Sequence, residues 1–389
     1  MSSLGFAALL NARSSRERDL VCAMVAARVL CPHSKLATTR WWHTSTLAQE
    51  FGVGDAGEDE LYAAMDWLLE RQGHIEKKLA ARHLRADGLV LYDLSSSYFE
   101  GHCCPLARFG YSRDGKSGKL QVNYGLVSAP GGCPVAISVY EGNTADAVTF
   151  LPQVQRVREQ FGIERLVIVG DRGMISHQSI ETLQGLQGVD WITALKSAQI
   201  RSLLTDGVLQ LDLFDERNLV ELTHPDFPGE RLVACRNPAL AKLRAQKRQA
   251  LIQATLEALE KVRTSVRAKR LRKPEDIGVR VGRVVNRYKV AKHIELTILQ
   301  DRFEFRVRED SVAQEAALDG LYVLRTALAH SRMDAPEVVR SYKSLSDVER
   351  AFRSMKTVDL KVRPIHHRLA DRVRSHIFLC MLAYYVEWH

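Results

Sequence analysis

Three carboxylates in this chain sit where a carboxylate needs a reason. Asp93 interrupts VLYDLSS, a strand-like run in which aspartate is disfavoured because it is short, charged and headed for burial. Asp171 closes the apolar run LVIVGD, at the carboxyl end of a strand, where open α/β sheets place their ligands. A turn-forming aspartate before Arg172-Gly173 is the plainer alternative there. Glu349 lies in RSYKSLSDVERAFRSMKTVDLK (340–361), which reads as one amphipathic helix burying Val348, Ala351, Phe352 and Met355. Residues seven apart on a helix return to nearly the same angle, about 20° off per heptad. Tyr342, Glu349 and Lys356 have that spacing, and Arg353 lies one turn past the glutamate. The stripe then carries a carboxylate flanked by an aromatic hydroxyl and two cations; its plain alternative is a solvated face with i,i+4 ion pairs. Two buried carboxylates brought close repel unless a cation sits between them. Hard oxygen donors with no His or Cys nearby in sequence suit Mg²⁺ or Mn²⁺, and a third carboxylate would complete a two-metal site for phosphoryl transfer.

The elements that must position these groups change character along the chain. Residues 4–86 show apolar residues at helical spacing, in ERDLVCAMVAARVL and DELYAAMDWLLERQGHIEKKLAARHL. Between them SKLATTRWWHTSTLAQEFGV is polar, aromatic and basic; a packed helical shoulder is the default reading and a helix-turn-helix the other. From residue 89 come three short β-branched and aromatic runs, LVLYDLSSSYFE, KLQVNYGLVS and PVAISVYEGN. A helix with Asp146 placed to cap it follows, then strand, helix and the strand WITALK. That order predicts an α/β fold, a mixed sheet with helices on its faces. The span between Lys196 and Leu321 is too long for a loop and reads as an inserted subdomain. It is expected to open with strand-like LQLDLF (209–214) and RLVACRN. It is expected to close with antiparallel strands from RVGRVVNRYKV (280–290), HIELTILQ and FEFRVRE. The expected division is a helical region over 1–88, a first part of a core over 89–199, an insertion over 200–320, and the core's second part over 321–389.

Composition narrows the partner. The 389 residues are 46% hydrophobic and 26% charged, ordinary for a globular protein, but the formal charge is +9. From Leu240 to Lys273, eleven Lys or Arg stand against Glu257 and Glu260, so this one run equals the whole chain's excess. So one-sided a run points to phosphate, with nucleic acid first among polyanions. Seven cysteines without a CxxC pair argue for reduced packing thiols rather than a disulfide framework or a zinc site. No apolar run reaches the ~18 residues of a membrane span. Gly110–Ser117, GYSRDGKS, matches the phosphate-loop pattern GxxxxGK[ST], but that mechanism needs a helix after it, and KLQVNYGLVS alternates like a strand. It reads as a mobile polar turn whose Arg113, Lys116 and Lys119 could touch DNA phosphates. His366-His367 reads as a surface or backbone-contacting pair.

Taken together, YDLSSSYFEG around Asp93, VIVGDRGM around Asp171 and YKSLSDVERAFRSMKTVDLKVRPIHHR around Glu349 resemble the DDE-class transposases of bacterial insertion sequences. The last segment is similar to that family's Tyr-x2-Arg-x3-Glu-x6-Lys signature: Tyr342, Glu349 and Lys356 match, while Leu345 stands at the arginine position, so that Arg353 or Arg350 would substitute. The resemblance, over roughly residues 89–380, implies a ribonuclease-H-like core interrupted by a β-rich insertion. It implies two Mg²⁺ ions, or Mn²⁺, on Asp93, Asp171 and Glu349, with Tyr342, Arg350, Arg353 and Lys356 at the DNA. The implied reaction is cleavage at element ends followed by strand transfer into target DNA, without a covalent protein–DNA intermediate. The implied partners are terminal inverted repeats, target DNA and a second copy of the chain, in a bacterial cytoplasm. Two alternatives stand beside it: a DNA-binding remnant that has lost catalysis, since relatives usually carry more chain than this one, and a nuclease without strand transfer.

Overall fold

The computed structural model describes residues 1–210, 214, 218–357 and 359–389. In chain order it runs α1 (Phe6–Leu10), α2 (Arg16–Leu30), α3 (Lys35–Trp42), α4 (Leu47–Glu50), α5 (Glu58–Glu70) and α6 (Gln72–His83). Strands β1 (Gly88–Tyr98), β2 (Gln121–Ser128) and β3 (Pro134–Glu141) follow, then α7 (Asp146–Glu159), β4 (Leu166–Val169), α8 (His177–Gln184) and β5 (Val189–Ala194). Next are α9 (Ser197–Thr205), β6 (Leu219–Leu222), β7 (Arg231–Arg236), α10 (Pro238–Arg267), α11 (Pro274–Tyr288), β8 (Ile294–Leu299), β9 (Arg302–Val307) and α12 (Glu309–Ala316). The chain closes with β10 (Leu321–Thr326), α13 (Ala335–Lys343), α14 (Leu345–Lys356) and α15 (Ala370–Trp388). Two compact units result: Met1–Ala194 with Arg325–His389, and Leu195–Leu324.

The first unit is built on strands in the order β3-β2-β1-β4-β5, with β1–β3 an antiparallel meander and β4 parallel to both β1 and β5. This is the mixed sheet with an antiparallel meander that the order of strand-like and helical runs predicts. All four residues of β4 are buried, as a continuous apolar strand covered on both faces must be, and all eight of β2 are buried too, its Gln121, Asn123 and Ser128 included. Helix α14 packs on β1, its Phe352 ring edge-on to Tyr124 of β2 with centroids 5.7 Å apart. Val348, Ala351, Phe352 and Met355 are the buried face of α14, as their spacing predicts. Gly132 makes room for that helix: at φ +81° it lies so close that a Cβ would meet the Asp347 carbonyl oxygen at 2.9 Å. Helix α15, buried from Ile377 to Tyr385, packs on β3 and on the N-terminal helices α2 and α5. Its apolar run is a core helix, and among the described residues no single helix is long and apolar enough to cross a membrane.

Three expectations are corrected here. The segment 340–361 is two helices, since α13 ends and α14 begins at Ser344, whose hydroxyl donates to the Ser341 carbonyl at 2.6 Å. Asp146 does not cap α7; Ala145 holds the N-cap position and the Asp146 carboxylate is drawn instead to Arg113. In the second unit, 280–290 is mostly the end of α11 rather than a strand. Pro274 and the acidic pair Glu275–Asp276 start a helix, and Ile277, Val281 and Val285 then fall four apart on one buried face. The valines read as β-formers, but their spacing is helical.

The second unit otherwise holds a β6–β7 hairpin, with β7 lying between β6 and β10, and a core of Ile200, Leu203, Phe227, Leu232, Ala234 and Val323. Of the expected strand 209–214, residues 211–213 lie outside the described residues. A separate cluster joins Leu259, Val262 and Val266 of α10 to α11 and to the β8–β9 hairpin, the latter pairing as its alternation predicts. Along the basic run, Lys242, Arg244, Lys247, Lys261, Arg267, Lys269, Arg270, Arg272 and Lys273 are exposed. Arg248 is bound to Asp319 and Arg263 to Glu260.

Candidate active site

Strand register does the first part of the positioning. The parallel pairing of β1 with β4 sets Leu91 opposite Val169. Asp93 lies two residues beyond Leu91 and Asp171 two beyond Val169, so the pairing brings both aspartates to the same end of the paired stretch. Asp171 itself is just past the end of β4, where its main-chain carbonyl accepts from the amides of Met174 and Ile175 (3.0 and 3.1 Å). It is therefore both the turn residue and a candidate ligand, and its exposed carboxylate accepts from the Tyr342 hydroxyl at 3.2 Å. Glu349 is exposed on α14, the helix packed on β1.

The electrostatics couple the three groups. The Asp93 carboxyl is pushed up to about 7, first by burial and then by the negative charges of Asp171 and Glu349. The Leu94 amide, which donates to it at 2.8 Å, and the Arg113 guanidinium pull the other way without winning. Tyr342 is likewise pushed up, by burial and then by Asp171, so it stays a neutral donor. The oxygens of the three carboxylates do not all lie within 4.8 Å of one another; among the described residues His83, Cys133 and His389 are the set that does. Yet an all-oxygen donor set in which one carboxyl is pushed up first by burial and then by its neighbours' charge is the chemistry a hard divalent cation relieves. The residues present fit that group.

The cations sort differently from their sequence spacing. Lys356 is only 8% exposed, and its ammonium donates to Asp114 Oδ1 at 3.1 Å, where Arg363 also binds. Burial draws that ammonium down while Asp114 pulls it back up. Asp114 is fully buried and also accepts from the Tyr98 amide at 3.1 Å. The Arg113 amide donates to Ser96 Oγ at 3.0 Å, so the GYSRDGKS segment is tied to β1 at two points. It is neither a phosphate loop, since β2 follows at Gln121, nor a free polar turn. Arg113 binds Asp146, Lys119 reaches Glu100 at 3.3 Å, and Lys116 is exposed with its ammonium 6.0 Å from the Tyr98 ring centre. On α14, Arg353 and Arg350 are exposed, the latter paired to Asp347 at 2.6 Å, and Leu345 is half-buried. Asp114 and Arg363 were not legible as site residues. The one signal was an acid flanked by two basic residues in a glycine-rich turn.

With this geometry in place, the comparisons give the class. A family model described as "Transposase DDE domain" matches residues 102–386, and the chain belongs to that family. Among solved structures, a piggyBac transposase synaptic complex with hairpin DNA aligns over 97% of this chain and 69% of its own, at 8% identity and a TM-score of 0.45. A Mos1 transposase paired-end complex with left transposon end aligns over 50% of this chain and 66% of its own, at 11% identity and a TM-score of 0.19. No curated protein matches the sequence.

Proposed function

We propose that the protein is a metal-dependent DNA transposase that cuts at element ends and joins them to target DNA, with Asp93, Asp171 and Glu349 as its catalytic carboxylates. The observation that supports this reading is the β1–β4 register, in which Leu91 stands opposite Val169, each two residues before one of the two aspartates, on the strand that α14 packs against. The three would hold two Mg²⁺ or Mn²⁺ ions, and the chemistry such ions supply is activation of a water or 3′-hydroxyl nucleophile and stabilisation of the leaving oxygen. The chain's own groups do the rest. Tyr342 holds Asp171 in place through its hydroxyl. Asp114 ties Lys356 and Arg363 to the β1–β2 loop, so Lys356 acts as a positioning residue that anchors the end of α14 rather than as a phosphate contact. Arg350 and Arg353, exposed on α14 beside Glu349, face the phosphates near the scissile bond, while Lys116 and Lys119 reach the flanking backbone. The exposed cations of α10 and the turn after it grip the DNA without reading its sequence. A pair of copies would bring two ends together. The test is incubation with the DNA ends that flank the element's own coding sequence, with Mg²⁺, scored for nicks and for joined products. Nicks without joining would reduce the activity to a nuclease, and binding without either would make the protein a silent DNA-binding remnant.

A further inference from the structure

Outside the carboxylate site, the first unit contains a cavity of 670 Å³ between the α2–α3 turn, the segment 361–369 and the start of α15. Among the described residues no Asp or Glu lines it, whereas Arg28, Lys35, Lys361, Arg363, Arg368 and Arg372 all do, together with four histidines. Its floor is the unusual part. Arg28 and Lys35 are 6% and 4% exposed, yet neither meets a carboxylate among the described residues. Among the described residues Arg28 donates to the main-chain carbonyls of His33 (3.0 Å) and Leu360 (3.5 Å), and the Lys35 ammonium has no hydrogen-bond or ion-pair partner. His376 is 6% exposed; its Nε2 donates to the Val362 carbonyl at 3.0 Å and its Nδ1 is unpartnered. Arg363 and Arg372 do have carboxylates, Asp114 and Asp66, behind the cavity wall. Leu369, the N-cap residue of α15, also lines the cavity, so a helix of 19 residues turns its amino end toward it.

Buried cations without a counter-charge are unfavourable, so a fold that keeps two of them on a cavity floor offers a place for something of opposite charge. Burial and the neighbouring Arg28 hold Lys35 down to about 7, and burial followed by Lys35, Arg28 and Arg372 draws His367 down to about 3. The cavity is the size of a nucleotide site and its donors are the fork and point donors that suit phosphate. We propose that this cavity is a phosphate-binding pocket distinct from the carboxylate site, taking a phosphomonoester whose oxygens are held by Arg28 and Lys35 from below and Arg368 from the rim. The phosphomonoester comes either from a DNA strand end or from a free nucleotide.

The proposal does not depend on catalysis, so its test is run in EDTA on the full chain. Inorganic pyrophosphate should raise the melting temperature beyond NaCl of equal ionic strength. Lys35→Met should melt no lower than wild type, because it removes a buried unpaired charge, while weakening pyrophosphate affinity about tenfold or more. Arg368→Gln, an exposed change that leaves folding alone, should weaken it in the same direction. A 5′-phosphorylated oligonucleotide that binds more tightly than its 5′-hydroxyl twin assigns the pocket to DNA ends; equal binding of the two beside tight pyrophosphate binding assigns it to free nucleotides. No rise over the NaCl control, an equal rise in wild type and both variants, or a Lys35→Met protein that melts well below wild type would overturn the assignment.

Discussion

The carboxylate site and the basic cavity are mirror images in charge, and each disfavours its own charge in the same way. Around Asp93 the unpaired charges are negative and the result is a carboxyl held up to about 7; around Lys35 they are positive and the result is an ammonium held down to about 7. Asp93 is half-buried and Lys35 buried, and each gives up its charge near neutrality through lost solvation and then through neighbours of its own sign, the two limits of one effect. Elsewhere in the same unit, buried charges are matched: Glu76 meets Arg156, Gln72 and the Ile137 amide, and Asp114 meets Lys356 and Arg363. The difference separates charges that hold the fold from charges that wait for a ligand.

The largest effects should come from breaking the negative cluster. Asp93→Ala, Asp171→Ala and Glu349→Ala are each expected to drop Mg²⁺-dependent nicking to background while DNA retention in a gel-shift stays near wild type. Glu349→Asp should fail as well, because withdrawing the carboxylate by one methylene defeats the ~2.0–2.1 Å contact Mg²⁺ demands. Full nicking by any one of these variants removes that residue from the site.

Breaking a matched pair should instead cost stability. Asp114→Ala strands Lys356 and Arg363 in the interior, for an expected loss of about 3–5 kcal/mol in a urea melt. Lys356→Met should lose less, since Arg363 still holds Asp114. Arg353→Ala, three residues away but exposed, should stay within about 0.5 kcal/mol of wild type and weaken end binding. If Arg353→Ala and Lys356→Met trade places in these two assays, the assignment of one to DNA and the other to the fold is wrong.

Intermediate effects belong to the basic run of the second unit. Replacing its exposed Lys and Arg by Gln should weaken binding similarly for all DNA sequences and flatten the log–log salt slope by about 0.9 for each phosphate no longer neutralised. An unchanged slope would mean that these charges are merely solvated.

The smallest effects, in pH, sharpen the mirror symmetry itself. Asp93 titrates near 7 in the metal-free fold against 3.8 when unfolded, so the folded state binds the extra proton between those values and stability falls as pH rises through them. Lys35 titrates near 7 in the fold against 10.5 when unfolded, so there the unfolded chain binds the extra proton and stability rises with pH from about 7 upward. Asp93→Asn should remove the first slope and Lys35→Met the second, read as melting temperatures of each variant against wild type at pH 4, 7 and 9. Parallel curves for wild type and a variant would show that the group it replaces does not carry its slope.

What could be read from the chain alone was whatever local pattern encodes. A charged residue inside an apolar strand marked Asp93, a strand end marked Asp171, and helical spacing marked the buried face of α14, because alternation and the 3.6-residue turn tie burial to sequence within a few residues. The resemblance around these three positions added the class. Local pattern is ambiguous at 280–290, whose valines suit a strand by type and a helix by spacing, and there the fold is helical through Tyr288. Tertiary structure alone decided which charges meet. Lys356 shares a heptad stripe with Glu349, yet one is buried against Asp114 and the other exposed, since Asp114 and Arg363 arrive from segments that no helical period relates to it. Likewise Arg28 and Lys35 look like ordinary surface cations until α15 and the 361–369 segment close over them. A charge's solvation depends on everything within a few ångströms, and in a folded chain most of that comes from far away in sequence.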